Sequence, residues 1–258
     1  IKLIVHAFSR KKVNYEKRLS EQPKINLSQT DTTGVLKYLF QNKEDVKGIE
    51  AVIKHLLSLA ADKDLIIKLC LNQLTDEPDS WGDIRASQLL GELQANETIP
   101  QLIEGLSDDK DDFLCEACED ALKKIGEPAL EHLAQVIRTG DQSQIIYALG
   151  ILGNIPSGRS AEIVMENFNH LWNKFNDMLL ECIWALADKR FIEPLKKELR
   201  PGEIRAERVY YFLCKLHQID DPHLVEIRQR IETYRKRSEK TLKILSGQEK
   251  GSPLDLIH

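Results

Sequence analysis

The sequence repeats itself with a period of about 31 residues, which restricts its fold more than any other feature. One series of apolar residues has spacings of 31, 31, 31 and 32, and it consists of Leu102, Leu133, Val164, Leu195 and Ile227. A second series has the same spacings four residues further on, and it consists of Leu106, Ile137, Phe168, Leu199 and Ile231. Positions four apart share a face of an α-helix, so each period is predicted to contain a helix with a buried stripe.

Another apolar segment precedes each of these helices. Its leucines are spaced by 32, 30, 34 and 30 residues, and they are Leu90, Leu122, Leu152, Leu186 and Leu216. A shift of 32 residues also places Trp81 on Phe113 and Ala86 on Cys118. A two-helix repeat cannot bury its stripe alone, so successive repeats must stack. The sequence therefore predicts an all-α fold, an α-α superhelix of about six two-helix repeats.

Residues typical of helix ends separate the apolar segments. Ser107 and the aspartates of 108–112 are suited to cap the helix that follows them. Glycines are expected where helices end, at Gly126, Gly140 and Gly158. Prolines are expected near the starts of second helices, at Pro100, Pro128, Pro194 and Pro222.

Composition indicates a folded chain without a membrane span. Of its 258 residues, 42% are hydrophobic and 30% are charged, and no stretch approaches the roughly 20 apolar residues of a transmembrane helix. The first residues lack the pattern of a signal peptide, and the five cysteines lie among helix-core residues. We therefore expect reduced thiols and a cytoplasmic location.

The ends of the chain differ from its middle. Residues 1–33 are basic and show no repeat, so they are predicted to form an arm or a capping segment. Residues 34–237 are predicted to form the repeat solenoid. Residues 238–258 are predicted to be a C-terminal tail, because Gly247, Gly251 and Pro253 do not favour a continued helix.

The net charge of −5 conceals two oppositely charged segments. Residues 76–120 contain fourteen acidic and two basic residues, whereas residues 189–250 contain sixteen basic and ten acidic residues. Such segments are often simply solvated helix faces. Alternatively, they serve a charge-complementary partner or head-to-tail association.

One repeat resembles a known family in detail. Cys118, Ala121, Leu122, Ile125 and Gly126, followed by the segment 128–130 (Pro-Ala-Leu), resemble the HEAT-like repeats of the phycobilisome-lyase type. The resemblance extends over about residues 46–237. It implies a right-handed HEAT-like solenoid whose second helices line a concave surface, and it suggests a bilin lyase or chaperone-like subunit as one possible function.

No motif commits the chain to catalysis, a metal or a cofactor. Cys115 and Cys118 form a C-x-x-C, but no second pair or His set follows at zinc spacing, so they are interpreted as core residues. The seven histidines are scattered, and the closest pair, His217 and His223, spans a predicted turn. We therefore expect no cofactor, no metal site and no catalytic residues.

Two groups of aromatic residues are compatible with nucleic-acid binding as an alternative function. Trp184 and Asp188 are spaced as on one helix, which is compatible with a DNA-alkylation-repeat glycosylase, although the acidic middle of the chain would repel phosphates. The aromatic residues 210–212 beside Arg205 and Arg208 could stack on bases or pack in the core. The basic C-terminal segment and the basic arm favour the same alternative.

The best candidate site is a column of polar residues on the second helices. Its core positions are spaced by 31, 31, 31 and 32, and they are Glu104, Gln135, Glu166, Lys197 and Gln229. Neighbouring candidates are Glu131, Arg138, His170 and Asn173. These residues either contact a ligand or are ordinary solvated positions. The resulting prediction is a non-catalytic scaffold or adaptor that binds a protein or peptide through its concave surface.

Overall fold

A computed structural model describes residues 25–41, 49–76 and 81–246. The described residues form thirteen α-helices and contain no strand. The helices are α1 (Thr32–Gln41), α2 (Ile49–Ser58), α3 (Lys63–Asp76), α4 (Trp81–Glu92), α5 (Ile99–Glu104), α6 (Asp112–Ile125), α7 (Leu130–Thr139), α8 (Gln142–Asn154), α9 (Gly158–Glu166), α10 (Phe168–Leu186), α11 (Ile192–Glu198), α12 (Ile204–Leu216) and α13 (Leu224–Leu245). The predicted all-α repeat fold is confirmed.

The chain divides into two compact units, Ile1–Ile151 and Leu152–His258. In the N-terminal unit, α4 packs against α1, α3 and α6, and α5 packs against α6. In the C-terminal unit, α12 packs against α10, α11 and α13, and α9 packs against α10.

Contacts between residues about one repeat apart hold neighbouring repeats together. Trp81 stacks on Phe113, its counterpart in the sequence repeat, with ring centroids 6.3 Å apart. Ser87 and Cys118 make a buried hydrogen bond of 3.4 Å between Oγ and Sγ. In the C-terminal unit, a ring nitrogen of His217 lies 2.8 Å from the Ala187 carbonyl oxygen. The sequence period therefore corresponds to physical stacking of the repeats.

The second-helix register agrees with the predicted buried stripe. Leu102, Leu133, Val164 and Leu195 have no exposed surface, and Ile227 is 2% exposed. The first-helix register drifts in the C-terminal unit, where Leu216 is 50% exposed and Leu213 and Cys214 are fully buried in its place. Leu216, the last leucine of the first-helix series, therefore lies outside the core, at the last position of α12.

Local sequence accounts for where several helices begin and end. Asp111 caps α6, because its Oδ1 accepts a hydrogen bond of 2.8 Å from the Phe113 N–H. Gly126 ends α6 with a positive φ of 78°, and Gly140 ends α7. Gly158, expected at a helix end, is instead the first residue of α9, where Ser157 provides the cap.

The predicted division into an arm, a solenoid and a tail stays a prediction. Residues 1–24 and 247–258 lie outside the described residues, and α13 continues past the expected boundary at 237 to Leu245. Among the described helices, none has the length and apolar character required to cross a membrane.

Candidate functional site

All nine polar residues of the predicted column are exposed. Glu104 ends α5, and Glu131, Gln135 and Arg138 lie on α7. Glu166 ends α9, whereas His170 and Asn173 lie on the first part of α10. Lys197 lies on α11 and Gln229 on α13. The column is therefore distributed over both units.

Three of these residues meet at one cleft in the C-terminal unit. Glu166, His170 and Lys197 come from three helices and line a cleft of about 450 Å³. Its other lining residues are Met165, Asn167, Phe168, Asn169, Pro194 and Glu198. We call this the α9–α11 cleft.

The break between α9 and α10 shapes this cleft. Asn167 ends α9 with a non-helical φ of −113°, and its Nδ2 donates a hydrogen bond of 2.8 Å to the Ile163 carbonyl. The chain then turns directly into α10, which itself kinks at Phe175. Glu166 at the end of α9 and His170 in the first turn of α10 therefore line the cleft from either side of this helix break.

The charges around the α9–α11 cleft are mixed. Glu166 lies 3.1 Å from the Arg159 guanidinium, whereas Lys197 forms no ion pair with the described part of the chain. Phe168 and Trp172 stack with centroids 5.8 Å apart, which fixes the first turns of α10. The cleft therefore contains the Lys197 ammonium group and the Glu166 carboxylate, next to the aromatic stack of Phe168 and Trp172.

The remaining column residues lie elsewhere. Glu104 lines a separate cleft of about 240 Å³ together with Gln101 and Lys110. Gln135 accepts a hydrogen bond of 3.3 Å from Arg138 on the same helix. Gln229 lines a third cleft, of about 470 Å³, between α12 and α13.

A buried polar cluster in the last repeat was not predicted from the sequence. Asp221 is 4% exposed, and its Oδ2 accepts hydrogen bonds of 2.6 Å from both Lys196 and Tyr210. Its Oδ1 accepts from the His223 backbone N–H at 2.8 Å. These donors, with Lys196 the largest contributor, hold the pKa of Asp221 well below its usual range. The only sequence signal was an Asp-Pro pair before a helix.

The predicted pairing of Trp184 with Asp188 on one helix was wrong. The helix α10 ends at Leu186, and Ala187 follows in the left-handed conformation, with a φ of 52°. Asp188 instead caps the short turn of residues 189–191. Trp184 stacks on Phe212 with centroids 4.2 Å apart, so it contacts the adjacent first helix, and 44% of its surface stays exposed.

Among the other aromatic and cysteine candidates, Tyr210 and both cysteines of the C-x-x-C lie in the core. Tyr210 is 1% exposed, while Tyr211 and Phe212 are half-buried. Cys115 and Cys118 are free and buried, and burial raises the pKa of the Cys118 thiol to about 12. In the described ranges, no three His, Cys, Asp or Glu side chains are grouped as a metal site requires.

Comparison with known proteins supports the repeat architecture. Residues 67–152 match the family model described as HEAT repeats, from within α3 to within α8. No curated protein matches the chain. The finer resemblance to the phycobilisome-lyase type stays a prediction. The chain therefore carries HEAT-like repeats, with residues 67–152 as the matched part.

Proposed function

We propose that this chain is a non-catalytic scaffold that binds a segment of a partner protein at the α9–α11 cleft. The observation that carries the proposal is the meeting of Glu166, His170 and Lys197 at one cleft from three separate helices. HEAT repeats generally serve as protein-interaction scaffolds, which favours the same function.

The lining of the cleft indicates the chemistry of the partner segment. Lys197 offers an ammonium group that has no ion-pair partner among the described residues, and Glu198 and Glu166 offer carboxylates within the same cleft. Met165 and Pro194 add apolar surface between these charges. A segment with an apolar side chain flanked by one acidic and one basic residue would satisfy all three features.

The mixed, exposed surface of the cleft favours a peptide segment over a small cofactor. Small-molecule sites are mostly apolar and enclose most of their ligand. The α9–α11 cleft is instead bordered by exposed polar and charged residues on three helices. These features are typical of a protein contact with a polar rim.

Site-specific photocrosslinking in the source cell tests the proposal. A photoreactive amino acid at Asn169, which lines the cleft, should capture a specific protein, and the same probe at Lys215 on α12 should not. Capture from position 169 should fall about tenfold or more when Glu166→Ala, His170→Ala and Lys197→Ala are combined, because a loss of about 1.4 kcal/mol in binding free energy is a factor of ten. If both positions capture the same proteins, or position 169 captures none, the cleft is not the binding surface.

A further inference from the structure

We propose that a cleft between α11, α12 and α13 binds a small zwitterion, a free α-amino acid, through Glu207 and Arg200. The cleft has a volume of about 230 Å³ and shares no lining residue with the α9–α11 cleft. We call it the α11–α13 cleft. It is a second site, independent of the proposed binding of a partner segment.

The first observation concerns the Glu207 carboxylate. Glu207 lies in the first turn of α12, lines the cleft and is only 1% exposed. Its Oε1 accepts hydrogen bonds from the Arg230 Nε at 2.7 Å and from the Gly202 N–H at 3.3 Å. Its Oε2 is buried and accepts no hydrogen bond from the described residues. A buried carboxylate oxygen without a donor destabilises a fold, so this atom requires a donor from elsewhere.

Asp221, on the same cleft, shows that this fold can satisfy a buried carboxylate completely. Its Oδ2 accepts hydrogen bonds of 2.6 Å from Lys196 and Tyr210, and its Oδ1 accepts one of 2.8 Å from the His223 N–H. Of these two buried carboxylates, only Glu207 keeps an oxygen without a donor among the described residues. The difference points to a ligand that donates an N–H group to Glu207.

Arg200 brings a complementary group to the same cleft. It is exposed and forms no ion pair with the described part of the chain. It belongs to the turn between α11 and α12, where the Glu203 N–H donates to the Arg200 carbonyl oxygen at 3.1 Å. A guanidinium group binds a carboxylate through two parallel hydrogen bonds. Arg200 therefore suits the carboxylate of a ligand whose amino group binds Glu207.

Charge balance favours a zwitterion over a simple amine or a simple acid. Apart from His223, the cleft is lined by three cationic and three anionic side chains, which are Lys196, Arg200, Arg230, Glu207, Asp221 and Glu226. Lys196 pairs with Asp221, and Arg230 pairs with both glutamates. A ligand of zero net charge leaves this balance unchanged. A simple amine or acid would add a charge without compensation at a partly desolvated site.

The size and the apolar lining of the cleft favour an amino acid with an apolar side chain. Sites for drug-sized ligands have volumes of roughly 300 to 1,000 Å³, so this cleft suits a smaller molecule. Leu199, Pro201 and Ile227 supply apolar surface beside the charged groups. An amino group, a carboxylate and an aliphatic side chain match the three features of the lining.

Thermal unfolding of the full chain with each standard amino acid is the first test. At about 10 mM ligand, at least one amino acid with an apolar side chain should raise Tm, because a ligand that binds only the folded state stabilises it. If none of them raises Tm, the proposal is wrong.

Isothermal titration calorimetry then identifies the groups of the ligand that matter. For leucine, the probes are leucine itself, leucinamide, which lacks the carboxylate, and 4-methylpentanoate, which lacks the amino group. Each analogue should bind about tenfold more weakly or worse, because each loses one charge-assisted contact. An analogue that binds as tightly as the amino acid would overturn the proposal.

Two variants and a matched control locate the site. Arg200→Gln and Glu207→Gln should each lower the affinity for the amino acid about tenfold or more. Arg208→Gln should not, because Arg208 is an exposed arginine of α12 outside this cleft. Arg200 is exposed, so its variant tests the proposal even if Glu207→Gln impairs folding, which circular dichroism detects. An unchanged affinity of Arg200→Gln would place the ligand elsewhere and refute the assignment.

Discussion

The Lys196 Nζ atom lies 2.6 Å from Oδ2 of Asp221, a carboxylate whose side chain is only 2% exposed. Tyr210 donates to the same oxygen at 2.6 Å, so one buried carboxylate joins α11, α12 and the turn before α13. Charge-assisted hydrogen bonds of this kind are stronger than neutral ones. The last repeat is therefore stabilised by this polar cluster as well as by apolar packing.

Replacing the carboxylate of Asp221 should destabilise the C-terminal unit. Asp221→Asn keeps the shape but weakens two charge-assisted hydrogen bonds, so we expect the free energy of unfolding to fall by about 2 to 3 kcal/mol. Urea denaturation measures the change. The control is Asp177→Asn, whose ion pair with Arg205 is exposed on both sides and should contribute less than about 1 kcal/mol. Equal losses for both variants would contradict this account.

The stabilisation by Asp221 should depend on pH in a defined direction. The pKa of Asp221 is lowered on folding, mainly by Lys196, so its contribution is complete above the unfolded pKa of about 3.9. The contribution is lost as the pH falls through the lower folded pKa. The difference in Tm between wild type and Asp221→Asn should thus be smaller at about pH 3 than at about pH 5. A difference that is larger at about pH 3 than at about pH 5 would refute the assignment.

The sequence predicted regular packing better than long-range polar contacts. The stripe from Leu102 to Ile227 follows from periodicity, since burial of apolar surface recurs once per repeat. The α9–α11 cleft was only partly predicted, because its shape depends on a helix break at Asn167 that no residue pattern marks. The partners of Asp221 lie on other helices, so neither spacing nor composition indicates them.

The ion pair between Glu207 and Arg230 should be more important than an ordinary surface pair. The Arg230 Nε donates to Glu207 Oε1 at 2.7 Å, and the Glu207 side chain is only 2% exposed. Its other oxygen is buried and has no hydrogen-bond partner among the described residues. Arg230→Met leaves this carboxylate buried without its cation, so we expect a loss of about 3 kcal/mol in the free energy of unfolding.

A double-mutant cycle separates the energy of the ion pair between Glu207 and Arg230 from the other contacts of the two side chains. Glu207→Met combined with Arg230→Met removes both charges, and it should recover at least half of the stability that Arg230→Met loses. Urea denaturation of the four proteins gives the coupling energy. Strictly additive losses would show that the two side chains stabilise the fold independently.

The buried cysteines should resist alkylation while the chain is folded. Burial raises the pKa of Cys70, Cys118 and Cys182 to about 12, so very little thiolate is present at pH 8. Iodoacetamide should therefore label these residues only as fast as the chain opens, and in urea it should label them completely. Peptide mass spectrometry measures both rates. Rapid labelling of Cys118 in the native protein would favour a reactive C-x-x-C over a core residue.

Close approach of α4 and α6 at Gly91 should make this glycine difficult to replace. A Cβ atom at position 91 would lie 2.6 Å from the Ala121 Cα, so Gly91→Ala forces the two helices apart. Overpacking lowers the free energy of unfolding by about 1 to 3 kcal/mol, while the better helix propensity of alanine raises it by at most about 1 kcal/mol. We expect a net loss of stability, measurable as a lower Tm.

Gly158→Ala is the matched control, because nothing lies within 4 Å of its added Cβ, and it should leave Tm unchanged or higher. A Gly91→Ala variant as stable as the control would mean that α4 and α6 are not packed this closely.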